Sequence, residues 1–365
     1  MKVDNGLSAV NDLYRQAFSS RIPLSCNFEL TRRCNFRCPH CYAVPHVGEI
    51  PTEMVINAVR QLGDMGCLYY TLTGGEALLH PGFEEVCLAI RRSFGVITLF
   101  TNGFLLDEDR IEFLKTVKPQ SVDITLYGAS DEGYLAFCGV EKGFTRVTRN
   151  IELALAAGLP VTLKMFVTRD NATDFARVGK IADAFGLPFR YDSSLFPTFE
   201  GGREPFEQAL SPKEALELNL MRDGTVPDDW FDPTKKTSCD DLGIVSGWES
   251  LKREICSGKL FRCKAGRTSM FITCEGKARM CYMIPEIEAD LSDTSVCDAW
   301  DMFAQYVELV VDPRSECEMC GDRGFCHVCP AHYYHEHGDF SMANRVEPVC
   351  ALMREKRAMQ AKWKG

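Results

Sequence analysis

Short apolar runs alternate with amphipathic segments between residues 25 and 192. The segments Pro81–Ser93 and Phe144–Ala157 place their apolar residues at helical spacing, whereas the runs between such segments are rich in β-branched and aromatic residues. Repeated alternation of this kind predicts a parallel sheet with right-handed crossovers, and six units predict an α/β fold, a partial (β/α)6 barrel. The six predicted strands are Ser25–Leu30, Cys67–Thr73, Gly95–Thr101, Ser121–Leu126, Pro160–Val167 and Pro188–Asp192.

The regular alternation ends after residue 192. Ser211 and Pro212 predict the start of a helix, because serine is a favoured N-cap and proline fits the first helical position. Residues 223–255 contain turn formers and little periodicity, which indicates a linker. We therefore predict an N-terminal extension at 1–24, the barrel at 25–222, the linker at 223–255, a cysteine-rich domain at 256–350 and a C-terminal helix at 351–365.

Composition is that of an ordinary globular protein, with 45% apolar and 25% charged residues. No apolar run reaches about 18 residues, the length that a membrane-spanning helix needs. The N-terminus lacks the apolar stretch of a secretory signal, so we expect a cytoplasmic protein without membrane partners. The formal charge of −10 argues against general binding to a phosphate backbone, so we expect no nucleic acid partner.

The chain contains 18 cysteines, which is unusual for a cytosolic protein of 365 residues. Disulfides belong to oxidising compartments, so clustered cysteines favour metal sites. Cys34, Cys38 and Cys41 follow the first predicted strand with the spacing C-x3-C-x2-C. Three thiolates on one loop can ligate three irons of a [4Fe–4S] cube and leave the fourth iron open. A structural zinc site, completed by His40 or His46, is the alternative.

Two further polar loops follow the next two predicted strands. Gly74-Gly75-Glu76 comes after the second strand and Thr101-Asn102-Gly103 after the third. Singly, such residues are ordinary turn formers. Because a barrel carries its chemistry at the carboxyl ends of its strands, their common position predicts a binding site on this rim.

The three-cysteine loop after the first strand resembles the signature of the radical S-adenosylmethionine (SAM) superfamily. The resemblance implies that the open iron chelates the amino and carboxylate groups of SAM. Reductive cleavage would then release a 5′-deoxyadenosyl radical that abstracts hydrogen from the substrate. It also implies an external electron donor of the flavodoxin or ferredoxin type.

Several cofactor contacts follow from the same resemblance. Gly74, Gly75 and Glu76 resemble the family's GGE motif, in which the carboxylate accepts hydrogen bonds from the methionyl ammonium. His40, just before the third cysteine, holds the position that usually contacts adenine. Asn102 lies on the same rim and is a further candidate for binding the cofactor.

Three strand residues complete the candidate site. Thr125 matches the position that often contacts the ribose. Many relatives place an arginine after the fourth strand to pair with the methionyl carboxylate, whereas this chain has Phe137-Cys138-Gly139 there. Lys164 is our candidate substitute, although a lysine at a strand edge can simply extend its head into water. Asp192 is a weak candidate for acid–base catalysis, and its alternative is a hydrogen-bonding cap.

Among the C-terminal cysteines, Cys263, Gly276 and Cys281 fit C-x12-G-x4-C, and a run with the spacing C-x2-C-x5-C-x2-C follows. This pattern resembles the SPASM domain, which has three residues in the last interval. The resemblance implies two auxiliary [4Fe–4S] clusters and so three clusters in all, while a double zinc ribbon is the alternative. One set of ligands would be Cys256, Cys263, Cys281 and Cys329, with Cys239 as second choice to Cys256, and the other Cys317, Cys320, Cys326 and Cys350.

SPASM enzymes mostly modify peptides and proteins, so the resemblance implies a maturase of a ribosomally made precursor peptide. The product would carry a thioether, a carbon–carbon crosslink or an epimerised α-carbon. A sulfatase-type formylglycine maturase is less favoured, because that group has Asp where Tyr282 follows Cys281. A haem-type or small-molecule modifier and a non-catalytic iron–sulfur electron carrier are the remaining candidates. The segment before Ser25 is short for a leader-binding domain, so we expect the leader to be bound by a separate protein or by the enzyme's own surface.

Overall fold

The computed structural model describes residues 5–199, 201–224, 255–323, 325–326 and 328–364. Nearly all of the predicted linker, 223–255, and the second-choice ligand Cys239 lie outside these ranges. The chain divides into two compact units. The barrel unit comprises Leu24–Leu210 and Met270–Ala299, and the C-terminal unit comprises Met1–Pro23, Ser211–Ser269 and Trp300–Gly365.

The barrel unit contains the six predicted parallel strands, which form an unclosed partial barrel as expected. Three short strands extend the sheet beyond β1, so its order is β6-β5-β4-β3-β2-β1-β7-β8-β9, and the β7–β8 and β8–β9 pairs are antiparallel. The strands are β1 Ser25–Thr31, β2 Tyr69–Gly74, β3 Val96–Thr101, β4 Ser121–Thr125, β5 Val161–Phe166, β6 Phe189–Asp192, β7 Ser269–Ile272, β8 Lys277–Arg279 and β9 Glu288–Asp290.

Crossover helices bury the apolar face of this sheet. Along β4, for example, Val122 and Ile124 are fully buried on one face and alternate with polar residues on the other, as the two-residue period of a strand requires. The opposite face of β4 is polar, so it can accept a polar ligand. The helices are α2 Thr52–Asp64, α3 Phe83–Arg92, α4 Glu108–Val117, α5 Asp131–Cys138, α6 Gly143–Ala156 and α7 Phe175–Phe185.

The C-terminal unit contains α1 Asn5–Ser20 and α8 Pro212–Asp223, whose predicted start is confirmed by a capping box between Ser211 and Glu214. The later helices are α9 Val296–Met302, which spans the boundary of the two units, α10 Ala304–Val307, α11 Pro330–His337 and α12 Glu347–Lys364. No helix among the described residues is long and apolar enough to cross a bilayer.

The C-terminal helix, α12, corrects our prediction of 351–365, because it begins at Glu347. Pro348 suits the first turn of a helix, since its fixed φ is already helical and its missing N–H needs no partner there. The helix therefore includes Cys350 in its first turns.

A buried ion-pair network fixes the end of β1. The Arg32 guanidinium lies 3.2 Å from the Glu29 carboxylate and 2.5 Å from that of Glu275, which lies in the turn between β7 and β8. Glu29 also accepts a hydrogen bond of 3.1 Å from the backbone N–H of Cys274. The network therefore fastens the residues just before Cys34 to the β7–β8 turn.

The first prediction concerns this network. Arg32→Met should lower the free energy of unfolding by about 3 kcal/mol, because it leaves the Glu29 carboxylate buried without its cation. Arg60→Met is the matched control, since Arg60 and Asp64 form an exposed pair whose removal should cost about 0.5 kcal/mol or less. Chemical denaturation measures both. If the free energy of unfolding falls equally in the two variants, the buried Arg32–Glu29 pair has no special structural role.

Candidate functional site

The three thiols of the first cysteine motif lie on the loop after β1. The Cys41 N–H donates to the Cys38 carbonyl over 3.2 Å, and the Phe36 N–H points at the Cys34 sulfur over 3.4 Å. Burial raises the pKa of Cys34 to about 12 and that of Cys41 to about 11, and the neighbouring thiols add to both shifts. The Cys138 thiol and burial likewise raise the pKa of Cys38. Thiols that oppose each other's ionisation fit a cationic cluster that would hold them as thiolates.

The Gly74-Gly75-Glu76 loop lies directly against this cysteine loop. The Gly75 N–H donates to the Thr31 carbonyl over 2.7 Å, and the Glu76 N–H donates to the Arg33 carbonyl over 2.9 Å. A Cβ atom on Gly75 would stand 2.4 Å from the Arg33 carbonyl oxygen, which is too close for any side chain. Glycine is therefore required here by the approach of two backbones.

Glu76 joins the ends of β2 and β3. Its buried carboxylate accepts hydrogen bonds from the Thr101 hydroxyl at 2.9 Å, the Asn102 N–H at 2.8 Å and the Leu78 N–H at 3.1 Å. Burial raises the pKa of Glu76, although these three donors oppose that shift. The Asn102 amide in turn donates to Asn35 and lies 3.9 Å from the Cys34 sulfur. The structure thus brings Glu76 and Asn102 to the cysteine loop, and their contacts with SAM remain predictions.

His40 lies among aromatic rings. Its imidazole is nearly parallel to the Phe166 ring at 4.8 Å and stacks on Phe137 at 5.4 Å. Burial lowers the pKa of His40 to about 4, so the ring is neutral at pH 7. Its Nδ1 atom is buried and has no hydrogen-bond partner among the described residues. A flat neutral ring with an available polar atom is compatible with the predicted adenine contact, which stays a prediction.

Thr125 and Lys164 are register partners on β4 and β5. The Lys164 ammonium lies 3.3 Å from the buried Asp123 carboxylate and 3.1 Å from the centre of the Phe100 ring. The strand-edge interpretation of Lys164 is wrong, because β5 is an interior strand and the lysine side chain is only 23% exposed. Asp123 was missed in the sequence, although a carboxylate between Val122 and Ile124 on an interior strand is a signal that could have identified it.

Asp192 ends β6 at the edge of the sheet. Its side chain is exposed, and its carboxylate accepts a 2.8 Å hydrogen bond from the Ser194 N–H. This contact is the capping role that the sequence also allowed. A part in acid–base catalysis remains a prediction.

Four cysteines of the C-terminal unit line one cavity of about 150 Å³. They come from the turns around residues 317–326 and from the start of α12, and they are Cys317, Cys320, Cys326 and Cys350. This set is the one assigned to the second auxiliary cluster from the sequence. Three arginines and Asp322 contribute to the same wall.

The remaining proposed auxiliary ligands are distributed over both units. Cys256, Cys263 and Cys329 belong to the C-terminal unit, whereas Cys281 belongs to the barrel unit. Cys329 is the N-cap of α11, where its sulfur lies 3.3 Å from the His332 imidazole. Burial opposes ionisation of Cys329, but His332 and the backbone N–H groups hold the pKa of this thiol below its ordinary value. His332 is thus a half-buried neighbour of a proposed cluster ligand.

An aromatic cluster, also missed in the sequence, lies in the barrel unit beside two of the cysteines. Tyr42 directly follows Cys41, and Tyr282 directly follows Cys281. Their ring centres are 5.9 Å apart, and Phe199 packs on Tyr42 at 5.2 Å. Aromatic side chains that are partly exposed can contact apolar parts of a substrate.

Comparison with known proteins identifies this site. The model of the radical SAM superfamily matches residues 28–179, which contain the cysteine loop, the GGE motif, Thr125 and Lys164. The chain therefore contains a radical SAM domain. It is an enzyme of the kind that uses SAM together with a [4Fe–4S] cluster.

The chain resembles radical SAM proteins of more than one activity. The AdoMet-dependent heme synthase of Methanosarcina barkeri is 23% identical over 88% of this chain and 95% of its own length. The subtilosin biosynthesis protein AlbA of Bacillus subtilis is 31% identical, but the match covers 47% of this chain and 39% of AlbA. Streptococcus suis SuiB bound to its precursor peptide SuiA has a similar fold, with a TM-score of 0.68 and 15% identity. The match covers 96% of this chain and 82% of SuiB.

The second prediction concerns Glu76. Glu76→Gln should weaken SAM binding at least tenfold, because hydrogen bonds to charged groups contribute about 1.5–3 kcal/mol. Iron content should not change, since Glu76 carries no metal in our assignment. Calorimetry with SAM measures the affinity, and Glu85→Gln on the exposed face of α3 is the control. If the affinity for SAM is unchanged, the role of Glu76 is the structural one of bonding to Thr101 and Asn102.

Proposed function

We propose that this radical SAM enzyme is a maturase of ribosomally made peptides. Its catalytic [4Fe–4S] cluster would be held by Cys34, Cys38 and Cys41, and when bound the cluster and SAM supply the 5′-deoxyadenosyl radical. The observation that carries the proposal is the loop with these three thiols packed against the GGE motif at the carboxyl edge of the sheet.

The surrounding residues would bind and orient SAM. Glu76 would accept hydrogen bonds from the methionyl ammonium, while its present bonds hold the carboxylate in place. The His40 ring, flanked by Phe137 and Phe166, would contact adenine and keep water from that side of the site. Thr125 would contact the ribose. Lys164 would contact the methionyl carboxylate, and Asp123 holds its ammonium in position.

Two auxiliary clusters would raise the total to three. The cavity with four thiols supports the second one, with Cys317, Cys320, Cys326 and Cys350 as ligands. The first would use Cys256, Cys263, Cys281 and Cys329. These clusters would bind the peptide or accept an electron after hydrogen abstraction. The domain limits predicted from the sequence, 25–222 and 256–350, belong to this proposal.

A precursor peptide is the substrate that the comparisons favour. AlbA takes part in the biosynthesis of the bacteriocin subtilosin, and SuiB has been crystallised with its precursor peptide. The modification would be a thioether, a carbon–carbon crosslink or an epimerisation. The proposed partners are an electron donor of the flavodoxin or ferredoxin type and a separate leader-binding protein.

A haem-type modifier is the second candidate. The haem synthase relative covers nearly the whole chain, whereas the match to AlbA covers less than half of it. Its identity is only 23%, and the same fold also occurs in the peptide-bound SuiB structure. A formylglycine maturase is less favoured, because Tyr282 stands in the place of the expected Asp.

The third prediction separates the catalytic from the auxiliary metals. Cys34→Ala, Cys38→Ala or Cys41→Ala should abolish 5′-deoxyadenosine formation, since each removes one of three ligands. A variant that lacks all three thiols should remain folded with about eight irons, the content of two [4Fe–4S] cubes. Cys297→Ala, which removes an exposed thiol outside these sets, is the control and should retain activity.

Activity and the number of irons bound per chain distinguish the proposed ligand sets of the clusters. Turnover in any single variant of the catalytic set would overturn that set. About four irons in the variant without the three thiols would mean that one auxiliary cluster is absent, with Cys256 and Cys329 the first ligands to doubt. Zinc in place of iron would overturn the SPASM assignment.

The fourth prediction tests the substrate. A short peptide encoded next to this gene, incubated with the enzyme, SAM and a reductant, should lose two hydrogens on crosslinking. Epimerisation would instead incorporate deuterium from heavy water at an α-carbon. Mass spectrometry detects either change, and the Cys34→Ala variant is the control. If the peptide stays unmodified while a haem precursor is converted, the haem-type function is correct.

A further inference from the structure

A buried tyrosine hydroxyl contacts one thiol of the four-cysteine cavity. Tyr333 lies on α11, which begins immediately after Cys329, and its side chain is 1% exposed. Its hydroxyl donates a hydrogen bond to the Cys317 sulfur. Both residues belong to the C-terminal unit, and Cys317 is itself buried.

The chemistry of this contact favours a thiolate at Cys317. A buried phenol hydroxyl needs an acceptor, and the sulfur of a neutral thiol is a weak one. A thiolate that ligates iron is a stronger acceptor because it carries negative charge. The phenol O–H is the donor of this contact, and the Cys317 sulfur is the acceptor.

Among the residues that the structure describes around the cavity, no second group donates a hydrogen bond to the Cys317 sulfur. The Asn344 carbonyl oxygen, 3.7 Å from the Cys317 sulfur, cannot donate a hydrogen bond. The three arginines of the cavity wall are each paired with a carboxylate, which offsets their positive charge. The pairs are Arg323 with Glu318, Arg345 with Glu316 and Arg354 with Glu347.

We propose that Tyr333 is a positioning residue that raises the reduction potential of the second auxiliary cluster through its hydrogen bond to Cys317. The proposal rests on the proposed function, in which Cys317, Cys320, Cys326 and Cys350 hold that cluster. Reduction adds negative charge to the cluster and its sulfurs, so a hydrogen bond to a ligand sulfur stabilises the reduced state more than the oxidised one. Hydrogen bonds to the sulfurs are a recognised determinant of such potentials.

The fifth prediction is a redox titration of the holoenzyme followed by electron paramagnetic resonance. Tyr333→Phe should lower one of the three cluster potentials and leave the remaining two unchanged. We expect about a tenfold change in the equilibrium between reduced and oxidised cluster, which is about 59 mV for one electron. Tyr334→Phe is the matched control, because this neighbouring ring stacks on Phe340 at 5.4 Å and should shift no potential.

Iron analysis separates failure of this inference from failure of the proposed function. Three potentials unchanged in Tyr333→Phe, with about twelve irons still bound, would overturn the role of Tyr333 and leave the clusters in place. Zinc in the four-cysteine cavity of the wild type would overturn the cluster itself and the inference with it.

A second replacement keeps the test decisive if Tyr333→Phe fails to fold. Site-specific 3-fluorotyrosine at position 333 keeps the hydroxyl and makes it a stronger donor. The same cluster potential should then rise instead of falling. An unchanged or lowered potential with full iron content would overturn the inference.

Discussion

The structure of the candidate site depends on the close approach of two backbones at the ends of β1 and β2. A Cβ atom at Gly75 would lie 2.6 Å from the Arg32 carbonyl oxygen, and one at Gly74 would lie 2.2 Å from that of Thr31. Adjacent parallel strands end at the same edge of a sheet, so this contact brings the GGE motif to the cysteine loop. Because Gly74 and Gly75 have no side chains, the two backbones can approach closely enough to place Glu76 near the three thiols.

Buried ionisable groups are stabilised in different ways on the β1 side of this contact and on the cysteine loop. On the β1 side, Arg32 is buried, and its cost of desolvation is offset by the carboxylates of Glu29 and Glu275. On the loop itself, burial raises the pKa of Cys34 and Cys41, so ionised thiols at these positions need a cationic partner.

Much of the barrel could be predicted from the sequence, because its signals are local. Two-residue and helical periods located all six parallel strands, and Ser211 marked the start of α8 correctly. The addition of β7–β9 beside β1 was missed, since strands of three or four residues are too short to show a period. Contacts between residues far apart in the chain, such as Arg32 with Glu275, leave no periodic signal and become visible only in the structure.

The four-cysteine cavity shows that the spacing of cysteines can group thiols that lie together in the fold. Burial raises the pKa of Cys350, and the thiols of Cys317 and Cys326 raise it further. The start of α12 at Glu347, earlier than predicted, places Cys350 among these thiols. Four thiolates in about 150 Å³ repel each other strongly, so they can be ionised together only around a cationic centre. The repulsion among four thiolates would thus favour a cationic centre between them.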